Sequence, residues 1–144
     1  MHTALPPPLD GLARFHGHLG PYVVVGFRMG SIAREGLKGK IRAVAFTGLK
    51  PSLSCTVDGI QFASGCTLGK GNIEVRDENR AKAIFTSSEE ELEISLREEV
   101  RRDIDGRMSK ANEEELALSI FHSAADTIFE IRRTRRTLPP PEAP

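Results

Sequence analysis

The sequence predicts an α+β fold, and three observations carry that expectation. A segment framed by Pro21 and Gly36 is apolar on most sides, as a central helix must be. Four short stretches with alternating or apolar residues, bounded by turn residues, read as strands. An amphipathic segment capped by Asn112 follows the last of them. Strands gathered between helices, with no regular β–α alternation, point to α+β rather than α/β.

In chain order, residues 1–9 are a Pro-rich lead-in. Asp10 can cap a short helical turn through Arg14. The helix from Pro21 to Gly36 presents Val23, Val24, Val25, Phe27, Met29, Ile32 and Ala33. Its Gly26 and Gly30 lie on one face, where another backbone can approach closely. Lys40–Gly48 follows the Lys38-Gly39 turn as a strand, and Pro51 blocks its continuation. Ser54 or Cys55 caps a second helix, Thr56–Ser64, ended by Gly65. After a glycine-rich loop, Cys66–Gly71, come strands over Asn72–Arg76, Arg80–Ser87 and Leu92–Leu96. Arg97–Ile104 reads as a short charged helix.

The segment after Asn112 reads as one long helix, with Glu113, Glu114 and Glu115 in a first turn whose dipole favours acids. Its apolar residues, from Leu116 to Phe129, cover well over half the circumference, whereas a surface helix needs a stripe of only about 100°. It should therefore pack on two sides, the core and a dimer partner. Arg132, Arg133, Arg135 and Arg136 would then sit at a helix C-terminus, which favours cations. The organisation is a lead-in (1–9), a core (10–110), the C-terminal helix (111–136) and a Pro-rich tail (137–144).

Composition narrows the function. A chain of 144 residues, 39% hydrophobic and 28% charged, is one ordinary globular domain. A net charge of zero argues against a dedicated nucleic-acid or membrane-surface binder. Residues 1–86 nevertheless carry 11 Lys/Arg against 6 Asp/Glu, and residues 87–144 carry 9 against 14, so the two parts should attract. Two cysteines make neither a disulfide scaffold nor a zinc ribbon, which suits a reducing cytoplasm. Met1–Asp10 lacks the pattern of a secretory signal. The apolar run Tyr22–Leu37, broken by Arg28 and Arg34, falls short of the roughly 20 residues needed to span a bilayer.

The chemistry-bearing groups are few. Cys55 falls at a helix start, where amides and dipole favour thiolate, a nucleophile and metal ligand. The plainer alternative is a buried cysteine used as a small hydrophobe. Asp58 in the same first turn is either a dipole-compensating acid or the acceptor that orients a histidine. Cys66-Thr67-Leu68-Gly69-Lys70-Gly71 exposes backbone amides beside Lys70 and can bind an anion, or is simply a turn with a solvated lysine. It lacks the order of a Walker loop. His16 and His18 flank a glycine, so in an extended segment both imidazoles point one way and can hold a transition metal together with one thiolate. Otherwise one bonds a carbonyl and the other is solvated. His122 reads as surface, and His2 belongs to the lead-in.

Four stretches together carry a resemblance: Phe15-His16-Gly17-His18-Leu19; Gly26-Phe27-Arg28-Met29-Gly30; Cys55-Thr56-Val57-Asp58-Gly59-Ile60-Gln61; and Ser64-Gly65-Cys66 through Asn72. In this order, over roughly residues 10 to 100, the chain resembles the FmdE-like family, named after a component of molybdenum/tungsten formylmethanofuran dehydrogenase. The resemblance implies a mixed or largely antiparallel sheet covered by helices, a homodimer, and a pocket that holds a metal such as zinc. His16, His18 and Cys55 are then the ligands. Cys55, Cys66, Lys70 and Asp58 are the candidate catalytic groups, Cys66 as a thiol near the site and Lys70 steadying an anion or a substrate carboxylate. The chain departs from the family's pattern at Gly20, where a cysteine is usual, and it has no cysteines for the C-terminal zinc ribbon many members carry.

The expected function is metal binding in a His/Cys pocket, supporting metal-assisted or thiol chemistry on a small molecule. An enzyme of this kind would belong to one-carbon metabolism, alone or within a larger oxidoreductase complex. Two alternatives stand beside it: a non-catalytic accessory component or binding module with a vestigial pocket, and a thiol redox switch using Cys55 and Cys66.

Overall fold

In the computed structural model, which describes residues 5–136, the chain begins with helix α1 (Pro7–His16). Pro7 suits the first turn because its missing N–H has no helical partner there. Leu9 and Leu12 are fully buried, which anchors the helix three residues before Asp10, where the sequence suggested a start. The lead-in is correspondingly shorter than expected; residues 1–4, and the tail 137–144, lie outside the described residues.

Helix α2 (Pro21–Gly36) is central, with Tyr22 through Gly26, Met29, Gly30 and Ala33 all buried. Helix α3 (Cys55–Ser64) lies directly on it. A methyl group on Gly26 would stand 1.9 Å from the Thr56 carbonyl oxygen, and one on Gly59 2.0 Å from that of Val23. The two helices therefore touch through their backbones, and the Gly26/Gly30 face is a packing surface as its spacing suggested.

Among the described residues, five strands form one sheet in the order β2-β1-β3-β4-β5, with β1 Arg42–Ala45, β2 Ile73–Val75, β3 Lys82–Thr86, β4 Glu90–Leu96 and β5 Phe129–Arg135. β1 and β2 run parallel, joined through α3, and the other three pairings are antiparallel. The sheet is thus mixed, in an α+β fold. Phe85, Leu92 and Ile94 bury one face of it in the core that also holds Val24, Met29 and Ala33 of α2. Helices α4 (Glu98–Arg107), α5 (Glu113–His122) and the single turn α6 (Ala125–Ile128) follow β4. Among the described residues, no helix is long and apolar enough to cross a membrane.

The C-terminal segment corrects the sequence reading. Its helix does not continue beyond His122: Ser123 and Ala124 are extended, α6 adds one turn, and Phe129–Arg135 is an edge strand. The Arg28 guanidinium, reaching from α2, donates to the carbonyl oxygens of Ile120, Phe121 and Ser123 at 2.8–3.0 Å and terminates α5 there. The wide apolar face was an artefact of projecting two helices and a strand onto one wheel. The arginines consequently serve a sheet and not a helix end. Arg132 meets Glu93 and Arg133 meets Glu90 on the neighbouring strand, both at 3.0 Å.

Candidate functional site

Gly17, with φ +106°, ends α1 in the left-handed conformation, a backbone state that glycine adopts without penalty. The chain turns there and starts α2 at Pro21 four residues later. His16 closes the first helix and His18 lies in the turn, so the segment is not extended, yet the two imidazole centroids are only 4.8 Å apart. Facing them is the N-terminal end of α3, held in place by the Gly26–Gly59 contact.

His16 is the most constrained group of the site. Its Nδ1 is 2.6 Å from Asp58 Oδ2, and its side chain is only 10% exposed. An ionised carboxylate only accepts, so Nδ1 donates to Asp58, and in the neutral tautomer this leaves the lone pair on Nε2. That Nε2 is buried and, among the described residues, has no hydrogen-bond partner. Buried polar atoms are seldom left so, because each lost hydrogen bond costs on the order of 1–3 kcal/mol. Asp58 is thus the acceptor that orients a histidine, the second of its two sequence readings.

His16, His18, Gly20, Ser52, Cys55 and Glu113 are among the residues lining a small cavity of about 30 Å³. That is room for a water molecule or two, or a single ion. Among the described residues, no group of three or more His, Cys, Asp or Glu side chains stands at metal-binding separations as the side chains now lie. His18 Nε2 and Glu113 Oε2 are 3.9 Å apart across the cavity.

Cys55 differs from its sequence expectation. Its thiol is pushed up in pKa, first by burial and then by the carboxylates of Asp58 and Glu113. Of the helix amides only that of Cys55 itself pulls the other way, and it is the smallest influence. Those of Cys55, Thr56 and Val57 already donate to Ser52, Leu53 and Ser54, in the turn that leads into α3. The unpaired N–H groups on which the thiolate argument relied are therefore engaged. Cys55 in the metal-free pocket is a thiol.

Cys66 and Lys70 are not brought to this cavity. They follow the far end of α3, a helix of ten residues and so about 15 Å long. Cys66 is fully buried with its Sγ 3.5 Å from the Ile41 carbonyl, and burial raises its pKa as well. The anion loop is closed on itself. Thr67 N donates to Asn72 Oδ1, Leu68 N to Gln61 Oε1, and the amides of Lys70 and Gly71 to Thr67. A disulfide needs Cα atoms within about 7 Å, so Cys55 and Cys66 at opposite ends of α3 do not form a redox pair within the chain.

Two groups at the site were not singled out from sequence. Glu113 was legible only as a first-turn acid of α5, because its approach to the histidines depends on α5 packing against α2. Tyr22, fully buried beside the cavity, donates to Asp105 Oδ1 at 2.5 Å; burial and that carboxylate raise its pKa well above the phenol range. Nothing local in the sequence announces a contact between residues so far apart.

The chain matches the family model described as FmdE, molybdenum formylmethanofuran dehydrogenase operon, over residues 15–136. A crystal structure of a tungsten formylmethanofuran dehydrogenase FmdE-like protein from Syntrophus aciditrophicus superposes with a TM-score of 0.65, over 90% of this chain and 71% of that one. At 20% identity that likeness speaks for the fold alone. A probable S-adenosyl-L-methionine-binding protein of Archaeoglobus fulgidus is 41% identical over 64 residues, which are 41% of this chain and 18% of the relative. The chain therefore spans less than a fifth of that relative's length.

Proposed function

The chain belongs to the FmdE family of the molybdenum formylmethanofuran dehydrogenase operon, and from that premise we propose that it binds a transition metal, zinc above all, through His16, His18 and Cys55. The observation that carries this reading is the buried, partnerless Nε2 of His16 on a ring whose Nδ1 is fixed by Asp58. A carboxylate behind a ligating histidine is the usual outer partner of a metal site, setting tautomer and ring direction. The donor set agrees with the metal, since imidazole nitrogen and thiolate sulfur are what zinc prefers.

When bound, a metal held by three protein ligands keeps a position for water or a small molecule and acts on it as a Lewis acid. The protein's own part is positional. Asp58 holds His16, Gly17 brings His18 alongside, and the α2–α3 contact sets Cys55 opposite both. Burial first, and then the pocket's carboxylates, favour the thiol form of Cys55, so metal uptake would release a proton and be favoured as pH rises. At about 30 Å³ the cavity limits any further ligand to one the size of a water molecule or a small anion. A cytoplasmic homodimer, associating with a larger oxidoreductase, completes the reading; the family's operon supports the association.

Metal analysis of protein purified without an affinity tag is the test. Stoichiometric transition metal is expected in the wild type, and its loss in His18→Ala with Cys55→Ser. Metal absent from the wild type, or retained unchanged by the double variant, overturns the proposal.

A second reading, an accessory binding module, is favoured by one observation. Phe15 and Phe62 are exposed at 55% and 39%, and form a tilted ring pair 5.7 Å apart across α1 and α3, a surface suited to a partner protein. Co-purification that yields only homodimer, with no larger complex, counts against it.

A further inference from the structure

Glu113 opens α5, and an acid in a first turn needs no explanation for its charge. The direction of its carboxylate does. The side chain turns to the cavity with 31% exposure, and Oε2 stands 3.9 Å from His18 Nε2. Gly20 lies beside the gap between them. A Cβ there would lie 3.6 Å from His18 Nε2 and 3.9 Å from the same carboxylate oxygen, and any longer side chain would fill the space. Gly20 thus borders a void that His16, His18, Cys55 and Glu113 line together.

We infer that Glu113 is a fourth, exchangeable donor to the metal of this pocket, so that the set is two imidazoles, one thiolate and one carboxylate. This rests on the metal reading given above and deepens it: the position open to small molecules is covered by Glu113 until one displaces it. Donor atoms sharing one zinc at bond lengths of about 2.0–2.2 Å lie a little over 3 Å apart, so the 3.9 Å separation closes with a small side-chain movement. The half-exposed His18 and the part-exposed Glu113 have that freedom, whereas His16 is fixed. The hard carboxylate also biases the site towards divalent zinc, cobalt or iron and away from Cu(I), which thiolate-rich sites favour.

Titration of metal-free protein with Co(II), followed by visible absorption, separates the outcomes. The wild type should take up one Co(II) with four-coordinate d–d bands and a thiolate charge-transfer band. Glu113→Gln should keep the charge-transfer band, lose d–d intensity as more than one water enters and raises the coordination number, and bind at least about tenfold more weakly, since even an outer partner of a ligand is worth that much. Glu113→Cys supplies an independent reading: a side chain at the metal adds a second thiolate band, and a remote one adds none. Circular dichroism verifies that both variants fold. Wild-type spectrum and affinity within about threefold in Glu113→Gln, with no added band in Glu113→Cys, would overturn the inference while leaving the three-ligand site standing. Absence of Co(II) uptake by the wild type would remove both.

Discussion

Cys55 stands in the first turn of α3 and Cys66 just beyond its last, with Asp58 three residues after the one and Lys70 four residues after the other. At the Cys66 end every polar demand is met nearby. The loop amides reach Asn72, Gln61 and Thr67, the thiol rests on the Ile41 carbonyl, and the left-handed Gly65 closes the helix. At the Cys55 end demands are left over. Among the described residues a buried imidazole nitrogen has no partner, two carboxylates act on one thiol, and a small void lies beside them. Glycines and a thiol near a helix end do not make a site. Unmet hydrogen-bonding capacity beside a cavity is what marks the Cys55 end as the candidate, because such a cost calls for an explanation.

The most drastic way to break the contrast is to part α3 from α2. Gly26→Ala places a methyl group against backbone atoms of Thr56 that have nowhere to retreat. Overpacking a core costs about 1–3 kcal/mol when side chains can yield, and more is expected here because backbone must move. Urea denaturation should show a loss above about 3 kcal/mol, with metal uptake lost alongside. A stability within about 1 kcal/mol of wild type, close to the size of an ordinary surface change, would mean the helix contact is not what holds Cys55 in position. Next in size is Asp58→Asn, which removes the pure acceptor behind His16 and frees the ring to change tautomer. Metal affinity should fall about ten- to a hundredfold with the fold intact, measured by competition with a chromophoric chelator.

The two thiols also answer pH alike in direction and differently in access. Both have folded pKa values above their unfolded ones, so the native state holds more protons in the alkaline range. The stability this supplies is complete below the unfolded thiol value, about 8.5, and is lost as pH rises through the folded values. Metal-free protein should therefore lose stability on going from neutral to alkaline pH, and Cys55→Ser should flatten part of that slope. Thiol labelling sharpens the difference: half-buried Cys55 should react before fully buried Cys66, and bound metal should slow only Cys55.

Much of this fold is legible in the sequence because it is locally written. Pro21 and Gly65 mark helix ends by their own φ preferences, and the alternation in Lys82–Thr86 and Leu92–Leu96 shows up as alternating burial. The C-terminal strand was illegible for the opposite reason. Ile131 and the arginines around it become a strand by pairing with β4, and α5 stops at Ser123 because Arg28, some 90 residues earlier, takes its carbonyls. The same division runs through the candidate site. His16, His18, Cys55 and Asp58 lie on two short motifs and could be named, but their hydrogen bonds and the approach of Glu113 depend on three helices meeting. Cys66 and Lys70 share a motif with a glycine loop, and only the tertiary structure shows that loop already satisfied.

Lys70→Ala is the finest probe of the contrast, because it should do almost nothing. The lysine follows the end of α3 remote from the cavity, and its backbone amide, which the substitution keeps, is what stabilises the turn through Thr67. Its ammonium lies near Gly65, where a Cβ would be 3.5 Å away, and that exposed charge has little Coulomb energy to lose in water. Stability should therefore change by less than about 0.5 kcal/mol, the range of ordinary surface substitutions. Metal stoichiometry and the Co(II) spectrum should be those of wild type. Anion binding separates the two ends of α3 most directly: if inorganic phosphate raises the melting temperature of wild type but not of Lys70→Ala, the closed loop opens to a ligand after all, and the Cys66 end is a second site.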